Sequence, residues 1–244
     1  MYELSDPEAQ KRCSDVVDNL CRMRHDEDET GQTNQVKFLV PLMKRNSETG
    51  ILRVIFNQVS FKLGFCANTF VQYYFLMSNR LYKYITSVPA VNLKKYRNET
   101  ILYNTIFDIK HLETFGLRED FGLNLNILQG STSAEANIHL VHLRPREDIF
   151  KRYDPSFMAE FRFFVVQAMF RPSRRVKIFL KSWFDISVDE CAHIGIDKST
   201  RIGDMTREQF LQLFCCIRSS HNYKDSTFLS AARQNDENFA YIAH

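Results

Sequence analysis

The stretch Ile138-His-Leu-Val-His-Leu143, followed at once by Arg144-Pro-Arg146, marks the point where the character of this chain changes. Residues 138–143 are apolar apart from two histidines, and a short apolar run of this kind is typical of a buried strand. After Pro145 the apolar residues recur at helical spacing instead. We therefore predict a sheet-containing part up to residue 145 and an all-helical part that begins at residue 146.

Upstream of this boundary, the sequence predicts strands that alternate with helices. The run Ile51-Leu-Arg-Val-Ile-Phe56 is short and apolar, as in a buried strand. The other predicted elements are a polar helix at 6–23, a helix at 62–77, a strand at 81–88, a helix at 99–109, a strand at 111–115 and an irregular connection at 116–136. Such alternation favours an α/β fold whose sheet is covered on its faces.

Downstream of the boundary, capping signals delimit the helices. Asp154 followed by Pro155 predicts a helix start, and Pro172 predicts the end of that helix. Its predicted buried face contains Phe157, Phe161, Phe164, Val165 and Ala168. A second helix is predicted at 173–184, with Val176, Phe179, Leu180 and Trp183 facing inward.

Two capping boxes predict further helix starts in the same part of the chain. They pair Ser187 with Glu190 and Thr206 with Gln209, and Gly195 suits a helix end. We accordingly expect a helical domain at 146–218. Residues 219–244 are expected to form a polar, loose tail.

The net charge of the chain is only +3, but the basic residues are concentrated in two segments. Residues 80–98 contain five basic and no acidic residues, and residues 144–181 contain ten basic and four acidic residues. Segregated positive charge indicates a polyanionic partner, because Lys and Arg near phosphates release condensed counterions. The alternative is a solvated basic face without a ligand.

The predicted phosphate-binding residues belong to the second of these segments. Arginine can hold a phosphate through two parallel hydrogen bonds, which lysine cannot do. The predicted nucleic-acid-binding residues are Arg144, Arg146, Arg171, Arg174, Arg175, Lys177 and Lys181.

Asn57 and Phe61 are the candidate catalytic residues. If the strand predicted at 51–56 ends before Asn57, both residues lie where ligands bind in open α/β sheets. An amide oxygen there could accept hydrogens from the exocyclic amine of a base, and an aromatic ring could stack on that base. The alternative is that Asn57 is an ordinary turn residue.

Neither a metal site nor a membrane span is expected. The six cysteines form no CxxC pair and have no histidine at a zinc-finger offset, so they are interpreted as free thiols. His139 and His142 are three positions apart on a strand and point to opposite faces, which suggests structural roles. No apolar run approaches 18 residues.

Residues 1–30 are too acidic for a transit peptide, which is basic and contains few acidic residues. Any organelle address is therefore expected to lie outside this chain.

Three features between residues 138 and 217 carry a family resemblance. A last strand with a proline leads into a small helical domain, and the following helix ends in the arginine-rich run Phe170-Arg-Pro-Ser-Arg-Arg175. The third feature is the pattern Arg201-Ile-Gly-Asp-Met-Thr-Arg-Glu-Gln-Phe-Leu-Gln-Leu-Phe214. These features resemble the rRNA adenine N6-dimethyltransferase family, and they are most similar to its mitochondrial transcription factor B group.

The resemblance implies that residues 1–145 are the end of an incomplete class I (Rossmann-like) methyltransferase core, followed by a helical nucleic-acid-binding domain. It places Asn57 where the methylating family has an asparagine that positions the base. It implies S-adenosylmethionine as cofactor and small-subunit rRNA as partner. For the mitochondrial group it implies instead the mitochondrial matrix, mitochondrial RNA polymerase and promoter DNA.

The sequence contains no glycine-rich turn between a strand and a helix, so no cofactor-binding residue is named. We therefore expect a transcription initiation factor. The alternatives are an S-adenosylmethionine-dependent rRNA adenine N6,N6-dimethyltransferase and a nucleic-acid-binding remnant without a compact α/β core.

Overall fold

The computed structural model describes residues 35–41, 45–63, 66, 70–89, 95–116 and 137–242. The predicted helix at 6–23 and residues 117–136 of the predicted connection lie outside the described residues. The chain divides into two compact units. Of the described residues, those up to 59 and those within 63–83 and 108–145 belong to the sheet unit, and those within 60–62, 84–107 and 146–242 belong to the helical unit.

A four-stranded sheet forms the centre of the sheet unit. Its strands are β1 (Gln35–Val40), β2 (Phe70–Ser78), β3 (Phe107–Gly116) and β4 (Asn137–Pro145). The strand order is β1-β2-β4-β3, with β1 parallel to β2 and β2 antiparallel to β4. A helix, α1 (Arg45–Ser60), connects the parallel pair. The sheet, this helix and the helices that follow β4 confirm the predicted α/β fold class with a helical C-terminal part.

The strand predicted at 51–56 is wrong, because these residues lie within α1. Leu52, Ile55, Phe56 and Val59 are all buried and follow the helical spacing i, i+3, i+4, i+7. A window of six residues, five of them apolar, is compatible with either structure, and the fourth member of the buried face, Val59, lies beyond the window. Asn57 consequently lies on a helix and not at the end of a strand.

Two further predictions upstream of the boundary are also wrong. Residues 70–77 of the helix predicted at 62–77 form β2 instead, and residues 64, 65 and 67–69 of that prediction lie outside the described residues. The strand predicted at 81–88 is replaced by α2 (Asn79–Ile85). Residues 71–75 are all buried, because β2 has a neighbouring strand on each side and is covered on its faces. A strand of this type reads as a continuous apolar run, which resembles a buried helix in sequence.

The predictions closest to the boundary are confirmed. The predicted helix at 99–109 corresponds to α3 (Asn98–Ile106), although residues 107–109 belong to β3. The strand predicted at 138–143 is the inner part of β4, and the strand predicted at 111–115 lies within β3. His139 and His142 each lie beside a different set of side chains, as expected for opposite faces of β4.

The helical unit contains α3 and the helices that follow β4. These are α4 (Glu147–Arg152), α5 (Pro155–Met169), α6 (Val176–Trp183), α7 (Arg207–Ser219) and α8 (Thr227–Ile242), with short 3-10 helices at Val188–Ile194, Ile202–Asp204 and His221–Tyr223. The buried hydroxyl of Tyr96 donates to the Met205 carbonyl at 2.8 Å and joins the segment before α3 to this unit.

The predicted capping signals are confirmed. The Asp154 carboxylate accepts from the Phe157 N–H at 2.7 Å, and the Thr206–Gln209 box begins α7. The Ser187–Glu190 box begins a 3-10 helix that ends at Gly195. Gly195 has a φ of 72°, a conformation that glycine adopts without steric cost.

Phenylalanine side chains form the core of the helical unit. The rings of Phe164 and Phe214 lie 5.1 Å apart, and Phe228 contacts both helices from α8. All three side chains are fully buried. Residues 219–244 were expected to be loose, but residues 227–242 form α8, which contributes Phe228 and Leu229 to this core.

None of the helices in the described residues is both long enough and apolar enough to cross a membrane.

Candidate nucleic-acid interface

Helix α6 has one buried and one basic face. Val176, Phe179 and Leu180 are buried, whereas Lys181 on the other side is exposed and Lys177 is half-buried. This division follows from the sequence, in which apolar residues recur three and four positions apart and lysines occupy the intervening positions.

An open groove of about 750 Å³ runs beside this basic face. Its charged lining residues are Arg174, Lys177, Lys181, Asp185 and Lys198. Four of these side chains are basic and one is acidic, so the lining has a positive net charge. The structure therefore brings together three residues predicted from sequence and adds Lys198.

The guanidinium group of Arg174 lies along the helix. Its Nη2 atom donates to the Ile178 carbonyl at 3.2 Å and to the Ser182 hydroxyl at 3.0 Å. A guanidinium carries five N–H donors, so donors remain for a ligand after these two bonds are formed. Because the side chain is already held in place, a ligand need not order it, which lowers the entropic cost of binding.

Lys198 reaches the groove through the turn at residues 197–200. The Asp197 carboxylate accepts from the N–H groups of Ser199 and Thr200, at 2.8 and 2.7 Å, and from both hydroxyls. These hydrogen bonds lower the pKa of Asp197 to about 2. Lys198 forms an ion pair with Asp189 at 3.1 Å, but both side chains are 67% exposed. Such exposed pairs contribute little stability, so a phosphate could displace the carboxylate at small cost.

The remaining predicted basic residues do not line this groove. Arg171 and Arg175 are exposed at the start of the segment that leads into α6, and Arg144 is exposed on β4 in the sheet unit. Arg146 forms an ion pair with Asp148 at 3.2 Å. The hydrogen bonds from Arg146 lower the pKa of the Asp148 carboxyl group.

A second cavity in the helical unit, of about 640 Å³, contains Arg146 together with Arg152 and Arg207. Two of these three arginines are paired within the cavity, because Arg146 contacts Asp148 and Arg207 contacts Glu208. A phosphate would have to compete with carboxylates on adjacent residues. The groove beside α6 is for this reason the better candidate for a polyanion.

One exposed aromatic side chain lies next to the basic segment. Phe170, at the end of α5, is 79% exposed, which is unusual for a phenylalanine. Bases of single-stranded nucleic acids stack on such rings, and alanine substitution of a stacking ring typically costs 1–3 kcal/mol. The sequence alone did not indicate that Phe170 is exposed, because it directly follows an apolar helix.

Neither of the candidate catalytic residues lies at the end of a strand. Asn57 is half-buried in the last turns of α1, and Phe61 directly follows that helix. The proposed contact with a base required both residues to lie beyond the end of a strand, and neither residue does. A catalytic role of either residue stays a prediction from the family resemblance.

Two histidines that are distant in sequence meet in the sheet unit. His139 Nε2 lies 3.2 Å from the Asn79 side-chain oxygen, and His139 Nδ1 lies 3.3 Å from His111 Nε2 and 3.1 Å from the Thr114 hydroxyl. The ring of Tyr82 stacks on His139 at a centroid distance of 4.2 Å. Burial of the imidazole, with contributions from His111 and Lys83, lowers the pKa of His139 to about 4.

These contacts indicate that His139 is neutral and that both of its ring nitrogens have hydrogen-bond partners. The Asn79 oxygen can only accept, so His139 Nε2 carries the proton and His139 Nδ1 is an acceptor. His142, on the opposite face, lies 2.8 Å from the Gln72 side-chain oxygen and stacks on Tyr74. Within the described ranges, no three potential metal ligands come together.

The described residues do not fit the cofactor that the resemblance implies. The glycines among them are Gly50 in α1, Gly116 in β3, and Gly195 and Gly203 in the helical unit. None of these four lies in a turn between a strand and a helix of the sheet unit. We therefore assign no described residue to S-adenosylmethionine.

No protein-family model matches the chain, and no curated protein has a significantly similar sequence. The solved structures that are similar in fold include the following two. A dimethyladenosine transferase from Plasmodium falciparum matches with a TM-score of 0.49 and 11% identity, over 73% of this chain and 65% of that protein. The 23S rRNA methyltransferase ErmE matches with a TM-score of 0.47 and 11% identity, over 77% of this chain and 67% of that protein. The chain thus spans about two thirds of the length of each.

Proposed function

We propose that this chain binds nucleic acid along α6, and that it serves as a mitochondrial transcription initiation factor that helps mitochondrial RNA polymerase to open promoters. The groove lined by Arg174, Lys177, Lys181 and Lys198 carries the first part of the proposal. The second part, including the mitochondrial matrix location and the polymerase partner, is supported by the sequence resemblance of residues 138–217.

The spacing of the lysines suits a sugar-phosphate backbone. Lys177 and Lys181 are four residues apart on α6, which corresponds to about 6 Å along a helix axis. Successive nucleotides of a stacked strand rise by about 3.4 Å, so the two ammonium groups can reach phosphates about two nucleotides apart. Arg174 extends the same positive surface beyond the helix start.

A salt titration tests the binding part of the proposal. The double variant Lys177→Gln/Lys181→Gln is compared with the matched control Lys151→Gln/Lys224→Gln, which removes two exposed lysines of the same unit from outside the groove. Fluorescence anisotropy with a labelled single strand is measured at several salt concentrations. Each lost phosphate contact should reduce the slope of log K against log salt by about 0.7, so we expect a reduction of about 1.4 for the groove variant.

If both double variants lose the same affinity and slope, the groove is only a solvated basic face. If only the groove variant changes, nucleic acid binds along α6.

A promoter-opening assay tests the transcription part. A promoter that carries 2-aminopurine in the melted region reports strand separation through increased fluorescence. We expect the chain to increase this signal only when mitochondrial RNA polymerase is present. No polymerase-dependent increase would contradict the proposed role.

A methyl-transfer assay examines the alternative function. The chain is incubated with labelled S-adenosylmethionine and a small-subunit rRNA hairpin, with a hairpin that lacks the adenines as control. We expect no transfer of label. Label on the adenines would instead assign the chain to rRNA adenine dimethylation.

A further inference from the structure

Two arginines that are 26 positions apart in sequence lie directly opposite each other in the helical unit. Arg175 and Arg201 form an isolated antiparallel bridge between two short extended segments. The Val176 N–H donates to the Thr200 carbonyl at 3.0 Å, and the Ile202 N–H donates to the Arg174 carbonyl at 3.0 Å.

This hydrogen-bond pattern determines the relation of the two side chains. The bonds flank the Arg175–Arg201 pair and do not connect its members, which is the non-hydrogen-bonded type of antiparallel pair. In such pairs the Cα atoms are about 4.5 Å apart and the side chains leave the backbone on the same face. Both arginines are exposed, so their guanidinium groups enter solvent from neighbouring points.

Gly203 allows the two segments to approach this closely. Its N–H donates to the Pro172 carbonyl at 2.8 Å. A Cβ atom on residue 203 would lie 3.1 Å from the Pro172 Cβ and 3.2 Å from the Pro172 oxygen. A larger residue at position 203 would fit only if Pro172 or residue 203 moved by a few tenths of an ångström.

Nearby carboxylates do not neutralise this pair. Among the described residues, neither arginine forms an ion pair. Asp197 is occupied by the N–H and hydroxyl groups of Ser199 and Thr200. Asp204, three positions after Arg201, is exposed. Like charges placed directly opposite each other destabilise a strand pair. The repulsion between the two guanidinium groups therefore lowers the stability of the unbound protein, and a bound anion would remove this repulsion.

We propose that Arg175 and Arg201 form a two-arginine clamp for one phosphate of a bound nucleic-acid strand. The proposal rests on the proposed nucleic-acid-binding function and adds Arg201, which was not among the binding residues predicted from sequence. Each guanidinium presents two parallel N–H groups to a phosphate, and a phosphodiester has two free oxygens to receive them. The chemistry requires phosphate but no particular base.

Single and double substitutions of the full chain test the clamp. The variants are Arg201→Gln, Arg175→Gln and the double variant, with Lys224→Gln as a control that removes one exposed charge elsewhere in the unit. Binding of a labelled single strand is measured by anisotropy across a salt series, and the thermal midpoint of each free protein is measured in low salt.

We expect Arg201→Gln to bind about tenfold more weakly and to reduce the salt slope by about 0.7. Its thermal midpoint should be equal to or higher than that of the wild type, because a like-charge contact is removed. The double variant should lose less affinity than the two single losses combined, since either substitution already opens the clamp. Lys224→Gln should leave the binding of the strand nearly unchanged.

Several results would overturn the clamp. If the wild type binds the strand and Arg201→Gln loses no more affinity than Lys224→Gln, the clamp is overturned but the proposed function is not. If the losses of binding free energy in the two single variants add up fully in the double variant, the two arginines contact separate groups. A lowered midpoint with binding that recovers at lower temperature would make Arg201 a structural residue. An absence of wild-type binding would overturn both the proposed function and the clamp.

Discussion

The buried histidine of β4 should make the sheet unit sensitive to acid. His139 has a pKa of about 4 in the folded chain, compared with an ordinary value of 6.5, because its imidazole is buried and lies near His111 and Lys83. The unfolded chain therefore binds more protons than the folded chain between pH 6.5 and pH 4. The stability that a neutral His139 provides is complete above pH 6.5 and is lost as the pH falls toward 4.

The two pKa values determine the size of this effect. A tenfold change in proton affinity corresponds to about 1.4 kcal/mol, so the difference between 6.5 and about 4 corresponds to at most about 3.5 kcal/mol. For a small protein this is a large share of the free energy of unfolding, which is commonly 5–15 kcal/mol.

The variant His139→Gln isolates this contribution. The Gln amide can still donate to the Asn79 oxygen but does not titrate. Peptide-resolved hydrogen exchange over β4, corrected for intrinsic rates, reports the free energy of opening at pH 4.5, 5.5 and 6.5. His221→Gln, a substitution of an exposed histidine in the helical unit, is the matched control.

We expect wild-type β4 to lose protection as the pH falls, and His139→Gln to lose clearly less over the same range. The His221→Gln control should follow the wild type. An identical pH dependence in wild type and His139→Gln would refute the assignment of a neutral, buried His139.

Three substitutions in the helical unit have predictable effects. Phe228→Ala should lower the free energy of unfolding by about 3–5 kcal/mol, because it leaves a cavity among fully buried rings. Urea denaturation followed through the single tryptophan, Trp183, whose ring lies 5.9 Å from Phe228, measures this loss. Phe170→Ala should leave stability unchanged but weaken single-strand binding in an anisotropy titration, because this ring is 79% exposed. Thr206→Ala should cost about 1 kcal/mol in thermal denaturation, because the Gln209 N–H loses its capping hydroxyl; an unchanged midpoint would contradict that capping role.

Local signals in the sequence were sufficient where the physical cause was itself local. The helix start at Asp154 and the box at Thr206 depend on side chains that bond backbone groups three residues away. The conformation of Gly195 depends on its own backbone. These features were predicted correctly because no distant residue is needed to produce them.

The secondary structure of the apolar runs was not a local property. Residues 51–56 and 70–78 are both mostly apolar, yet the first run is part of a helix and the second is a strand. The second run becomes a strand because β1 and β4 pair with it on both sides. Those partners are separated from it by tens of residues, so no short window contains the deciding interaction.

In the candidate site, too, some features could be predicted from local sequence and others could not. The basic face of α6 follows from the sequence alone, because helical periodicity places Lys177 and Lys181 opposite the buried residues. The positions of Lys198 beside this face and of Arg201 opposite Arg175 become visible only in the folded chain. The physical reason is that helical spacing is set by the backbone within a few residues, whereas these contacts depend on packing between segments that are distant along the chain.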